Sequence, residues 1–454
     1  MSPAVRALAP YLTRRWRALA GAGGATGVLT LADLAKPWPL ALIVDRLLTG
    51  RRPPFELTAA DVRLLAAIAA LILAIAVAEA LAQYCADLWL QSAGERISHE
   101  LRVAVYDQLQ RLSLAFHHGR ATGDLLTRVT EDANNMGSLF SDSLGEMVQS
   151  ALLALGMTCV LLFIDPVLAA ISLVTAPLLV GASWVYRRRV KSTARLQRAQ
   201  EGRLASEAGE ALSAMTVVKA FGTERLESER VRRRSEQRMG VGVEVARLQA
   251  RFDGLVGVLR AVGTVLVTVL GVFRVAAGAI TPGDLIVFTS YTRKAHSPLR
   301  SLAREATKVA AGMARAERIA EILAADEVLE ERPGAHRGPR AAGELALEDV
   351  SFAYPGDRHA VHGVTLRAPA GGRVALVGPS GAGKSTLAAL IARLYDPDAG
   401  RIAIDGRDLR DCALEWLRRQ VAIVLQDTVL FTGTVRENIA YGSEAGDEEI
   451  EAAA

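Results

Sequence analysis

Between residues 147 and 186 the chain reads "MVQSALLALGMTCVLLFIDPVLAAISLVTAPLLVGASWVY", two apolar runs parted by a single Asp-Pro. About 20 residues of helix cross the hydrocarbon core of a bilayer. Residues 166–186 meet that length without one charge, and residues 147–164 are nearly as clean. Lipid offers no hydrogen bonds, so such a segment must pair its own backbone groups and can only be helical. The stretch is therefore a membrane hairpin turned at Asp165-Pro166, and it commits this part of the chain to a bilayer.

Four further apolar segments extend the pattern. Residues 18–44 and 62 to about 84 form an earlier hairpin joined by "LLTGRRPPFELTAAD". Residues 255–277 pair with a weaker span starting near Leu285, joined by "GAITPGD" and interrupted by "YTRKAHSPLR". Connections after the first, third and fifth spans are short. Those after the second and fourth, roughly 85–146 and 187–254, are long, charged and helical in pattern. Six spans put both chain ends on one side. Arg14, Arg15 and Arg17 before the first span, and Arg187, Arg188, Arg189 and Lys191 after the fourth, assign that side to the cytoplasm. Arg51 and Arg52 run against the rule.

Composition explains the rest of the chain by contrast. Over 454 residues, 51% are hydrophobic and 5% aromatic, but the apolar runs concentrate before about residue 310. The remainder has the mixed pattern of a soluble α/β domain. The formal net charge is +4. Its basic residues flank membrane runs and are not interleaved with aromatics, which argues against a nucleic-acid partner. Cys85, Cys159 and Cys412 are far apart and odd in number, so neither a disulfide framework nor a metal cluster is expected. His117 and His118 are adjacent, point apart on a helix, and have no acidic or thiol partner at ligand spacing. No removable signal peptide is expected, and the first span is its own anchor.

In the soluble part, "GPSGAGKST" at residues 378–386 follows the apolar run "RVALV" and opens "KSTLAALIARLY". This matches G-x-x-x-x-G-K-[ST] between an expected strand and a helix. Gly378, Gly381 and Gly383 let the backbone wrap closely, with Pro379, Ser380 and Ala382 completing the turn. The amides of such a turn and the positive end of the next helix face phosphate oxygens. Lys384 is expected to reach the β and γ phosphates. Ser385 is expected to offer its hydroxyl to Mg²⁺, beside Thr386. The ligands implied are ATP and Mg²⁺.

The neighbours of this loop make the chain resemble the ATP-binding cassette (ABC) exporter family, as a half-transporter: a six-span helical transmembrane domain followed by an α/β P-loop cassette. The resemblance covers essentially the whole chain. It rests on "LALEDVSFAYPG", "DPDAGRIAIDGRDLRD" and "LRRQVAIVLQDTVLFTGTVRENIAYG", and on two cytoplasmic-loop patterns, "FHHGRATGDLLTRVTEDANNM" from Phe116 and "EALSAMTVVKAFGTERLESER" from Glu210. It implies a transmembrane domain at 1–325 with two coupling loops, a linker at 326–342 and a partial nucleotide-binding domain at 343–454. It makes Tyr354 the platform for adenine, with Phe352 left to core packing, and gives Gln426 a contact with Mg²⁺ and the attacking water. The two loop patterns imply short helices that lie on nucleotide-binding domains, with Glu227, Glu229 and Arg230 on a solvated face.

The partners implied are a second half-transporter, membrane lipid, and a small or amphiphilic substrate such as a lipid, drug, siderophore or peptide. Charges inside spans are costly unless they face protein or water. Asp33 and Lys36 are expected to pair beside the "PWP" kink, and Glu79 and Arg260 to line a cavity. The final "GDEEIEAAA" reads as a helix just begun. The LSGGQ-like signature, the apolar strand ending in Asp-Glu and the switch histidine do not occur in these residues. The expectation is an ATP-driven translocase in complete form, and weak or no ATP binding and no hydrolysis by this chain alone.

Overall fold

The computed structural model describes residues 9–11, 13–48, 58–354, 360–426, 429–443 and 445–454, and leaves aside the side chains of 48, 173–180, 182–185, 187–191 and 296. Arg51, Arg52 and the Pro-Gly of "FAYPG" lie outside these residues. By contact the chain divides into two compact units, Met1–Arg102 with Glu131–Ala320, and Val103–Thr130 with Glu321–Ala454.

The first unit is all helix. Helices α1 (Trp16–Ala35) and α2 (Trp38–Ile43), followed by a π-helical turn at Val44–Leu48, form the first apolar segment. Next come α3 (Ala59–Arg111), α4 (Leu114–His118) and α5 (Thr122–Thr127), of which the last two belong to the second unit. Then α6 (Ala133–Ser138), a π-helical turn (Leu139–Leu144) and α7 (Gly145–Ile164) lead into α8 (Pro166–Ser213). Helices α9 (Met215–Phe221), α10 (Glu224–Ala276), α11 (Pro282–Lys294) and α12 (His296–Leu323) complete the unit's order. Among the described residues four helical stretches are long and apolar enough to cross a membrane: Trp16–Leu47, Ala59–Arg111, Thr122–Ile164 and Glu224–Ala276. The expected span at 166–186 is the first part of α8. The expected sixth span is split between α11 and α12 at Ala295.

Capping carboxylates hold the hairpin turns. Asp165 accepts from the amides of Val167 at 2.8 Å and Leu168 at 3.1 Å, which satisfies the orphan donors that open α8. Its other oxygen takes Arg274 Nε at 2.7 Å, joining the α7–α8 turn to the end of α10. Asp45 does the same for the α10–α11 connection, accepting from Thr281 Oγ1 at 2.8 Å and the Gly283 amide at 2.7 Å. A Cβ at Gly283 would meet Asp45 Oδ2 at 2.3 Å, so only glycine admits this approach.

Three of the four charges singled out within spans form one ion cluster. Lys36 Nζ donates to Asp33 Oδ1 at 2.8 Å, as expected, and also to Glu79 Oε1 at 2.6 Å. The ammonium thus draws Glu79 into an ion triad between α1 and α3, which spacing along one helix could not reveal. Arg260 is exposed on α10. On the long loops Arg230 pairs with Glu227 at 2.8 Å and Arg232 with Glu229 at 2.7 Å, all solvated. The three cysteines are free, with Cys412 buried.

The second unit carries an antiparallel sheet in the order β2-β1-β3-β4, from β1 (Leu345–Phe352), β2 (Val361–Ala368), β3 (Ala399–Ile404) and β4 (Arg407–Asp408). Leu345 faces Ala368 on one side and Ile404 on the other. Beneath it lie α13 (Lys384–Ile391) and α14 (Leu414–Gln420), followed by the short α15 (Val435–Ile439) and α16 (Asp447–Ala453). The core joins Leu347, Val350, Phe352, Leu387, Leu390, Tyr395, Ile402 and Leu417.

The apolar run at 373–377, expected as a strand, is corrected here, and a similar run at 421–425 behaves alike. Residues 373–377 and 421–425 have no strand partner among the described residues, and Val377 is 94% and Val424 98% exposed. Both are continuous apolar runs of the kind found in the middle of parallel sheets. Such a strand is held by ladder bonds to neighbours on each side, and composition alone cannot supply the neighbours.

Candidate nucleotide site

The loop of residues 378–383 bridges the unpaired 373–377 segment and α13. Gly381 and Gly383 both adopt φ +83°, a left-handed conformation that side chains rarely take. Gly383 is constrained twice, because a Cβ there would lie 2.4 Å from the Ala360 carbonyl oxygen. Lys384 Nζ donates to the carbonyls of Gly378 at 2.9 Å and Pro379 at 2.7 Å, which sets the ammonium inside the curve of the loop. Ser385 is exposed on the first turn of α13, while Thr386 is buried. A close-wrapped glycine backbone, a helix start and a central ammonium form a set of donors suited to a polyphosphate. The residues present fit the phosphates of ATP.

Tyr354 lies beside this loop. Its hydroxyl reaches Thr386 Oγ1 at 3.3 Å, and its ring meets Phe352 edge-on at 5.0 Å between centroids and Tyr395 edge-on at 5.5 Å. Phe352 is buried in the core. The structure therefore brings Tyr354, Gly378, Pro379, Ser380, Gly381, Ala382, Gly383, Lys384, Ser385 and Thr386 into one region. It does not bring Gln426 there. Gln426 is exposed at the end of the unpaired 421–425 run and has no hydrogen bond to the loop among the described residues; Asp427 lies outside them.

A segment from between the membrane runs shares this unit. Residues 103–130 include α4, whose Phe116 is 2% exposed and whose Leu114 and Ala115 pack on the cassette core. Ser113 caps α4 by accepting from the Phe116 amide, and its own amide donates to the Glu327 carbonyl at 2.7 Å. His118 Nδ1 and the Tyr395 hydroxyl share a hydrogen bond. Burial, and then the neighbouring Tyr354, push that hydroxyl's pKa up, so the phenol stays neutral. His117 Nε2 contacts the Leu109 carbonyl at 2.9 Å. No group of three metal-ligating side chains occurs among the described residues.

Sequence reasoning missed two residues. Tyr395 links α4 to Tyr354; an aromatic before the turn signal "DPDAG" was its only local sign. Arg393 is a buried cation at φ +49° that donates to the carbonyls of Leu409, Cys412 and Glu330 and to Asp396. Nothing in its neighbourhood along the chain marked it as buried.

Comparison with known proteins gives two matches in tandem. The family model described as ABC transporter transmembrane region matches residues 25–294, and that described as ABC transporter matches residues 361–454. The chain belongs to the ABC transporter family. The architecture is that of its exporters, a helical transmembrane domain ahead of a sheet-containing cassette, and the chain is a membrane protein. Similar ABC proteins include the fatty acid ABC transporter ATP-binding/permease protein of Mycobacterium bovis, 35% identical over 85% of this chain and 61% of its own length. The ATP-dependent lipid A-core flippase of Syntrophus aciditrophicus is 32% identical over 82% and 62%, and the uncharacterized ABC transporter ATP-binding protein YknV of Bacillus subtilis 32% over 80% and 60%. This ABC chain thus spans about three fifths of the length of these relatives.

Proposed function

We propose that the chain acts as one half of a dimeric ABC exporter, moving a small or amphiphilic substrate across the cytoplasmic membrane with its cassette in the cytoplasm. Two similar proteins carry names that specify fatty acid and lipid A-core, which favours a lipid-like cargo over a siderophore or peptide. Residues 1–325 serve as the transmembrane domain, 326–342 as linker and 343–454 as cassette. Bound ATP would supply the energy of phosphoanhydride cleavage. This chain's part is to cradle the phosphates with residues 378–386, to neutralise them with Lys384, and to support the base on Tyr354. Ser385 and Gln426 are the residues that would hold Mg²⁺, with Gln426 carried to the loop by a rearrangement of residues 421–426.

One observation carries the proposal. The segment between the second and third membrane runs belongs to the same compact unit as the phosphate loop, Leu114 and Ala115 pack on the cassette core, and His118 reaches the aromatic group of Tyr395 and Tyr354 that touches Thr386. A change at the loop then has a contiguous packed route to α4. The test is hydrogen exchange on the purified chain with an ATP analogue. ATP is expected to raise protection of the 114–118 amides, and Lys384→Ala to lower binding at least about tenfold, as for a lost phosphate contact, and abolish the protection. Binding that leaves 114–118 unchanged would refute coupling through α4; undiminished binding by the variant would refute the phosphate role.

A further inference from the structure

We propose that a cleft between α12 and the 133–144 segment binds the phosphate headgroup of an anionic phospholipid. The cleft measures about 520 Å³. One wall presents Arg304, Lys308 and Arg315; the other presents the polar Asn135, Ser138 and Ser143, and none of the residues lining it is acidic. Positions 304, 308 and 315 fall on a single stripe of α12, near the spacing of three and four that aligns side chains on a helix. Gly312, between them, approaches Leu139 so closely that a Cβ would lie 2.8 Å from its Cδ2, which closes the floor.

The carboxylates that accompany these cations sit behind them. Glu305 is fully buried and accepts from Arg304 Nε at 2.9 Å and Lys308 Nζ at 3.0 Å. Asp132 is 2% exposed and is shared by Arg318 at 2.6 Å and Arg315 at 3.8 Å. Glu146 pairs with Arg304. Among the described residues these ion pairs join four cations to three carboxylates. Buried Glu305 holds the Arg304 guanidinium at Nε and the Lys308 ammonium at Nζ, while the side chains of Arg304 and Lys308 remain half exposed. A guanidinium fork and an ammonium held in this way are preorganised for a phosphate.

Depth selects lipid as the source of that phosphate. Ser143 stands four residues before the apolar run that begins at Met147, or about 6 Å at 1.5 Å per helical residue. The Ser143 end of the cleft therefore lies at the headgroup layer, where basic pockets between transmembrane helices take anionic lipids.

The test uses the purified full chain in nanodiscs, with native mass spectrometry and a photoreactive phosphatidylglycerol. Both leaflets of a nanodisc are alike, so the orientation proposed above does not enter. Wild type is expected to retain phosphatidylglycerol about tenfold over phosphatidylcholine, with labelling in peptides covering 133–144 and 304–315. Lys308→Gln, and Ala311→Phe, which fills the floor and leaves every charge in place, should bring retention down to the phosphatidylcholine level, while Lys308→Arg keeps it. No preference in wild type, or labelling only elsewhere, would overturn the proposal even if the variants fail to fold. Displacement of the lipid by equimolar inorganic phosphate would overturn the lipid assignment in favour of a soluble anion.

Discussion

Asp408 closes β4 and accepts from the Arg410 amide at 2.9 Å and from its guanidinium at 2.7 Å. Burial pushes this carboxyl up, but the Arg410 side-chain and backbone hydrogen bonds outweigh it, and the net result lies below the ordinary 3.8. A carboxyl lowered in the folded state stabilises the fold fully above its unfolded value; protonation removes that contribution as pH falls through the lowered one. The expected outcome is that Asp408→Asn melts below wild type in detergent at about pH 6, and that the two midpoints converge as the buffer approaches about pH 3. A gap that persists into acid would mean that the residue acts through packing and not through its charge.

At the scale of elements, the first apolar segment is bent where Pro37 and Pro39 interrupt the ladder between α1 and α2. Tyr291, fully buried on α11, secures the bend: its hydroxyl donates to the Leu34 carbonyl and accepts from Trp38 Nε1 at 3.1 Å. Tyr291→Phe leaves that carbonyl and indole unsatisfied, at a cost of about 1–3 kcal/mol. It should lower the melting midpoint and speed exchange of the 34–38 amides, and unaltered exchange there would remove the hydroxyl from the account. The prolines announced the bend in the sequence, but the tyrosine more than 250 residues away did not. The same division runs through the rest of the chain. The apolar spans and the phosphate loop were legible because length, composition and a few adjacent glycines define them. The triad of Lys36 with Glu79, the burial of Arg393, the bridge through Tyr395 and the lack of ladder partners for "RVALV" were not, because each depends on residues brought close only by folding.

For the molecule as a whole, the number and direction of the crossings can be tested by labelling. With Cys85, Cys159 and Cys412 replaced by serine, a cysteine at Thr281 should react with an impermeant maleimide from outside intact cells, and one at Arg225 only after the membrane is opened. The reverse pattern would invert the arrangement proposed for the cassette. The grouping of residues 103–130 with 321–454 bears on how such proteins can be recombined. A hybrid spliced at one point after the last membrane helix would carry a foreign α4 onto this cassette, in place of the Leu114, Ala115 and His118 that its core and Tyr395 fit. The heritable module is discontinuous, and exchanging it intact requires two cuts in the gene instead of one.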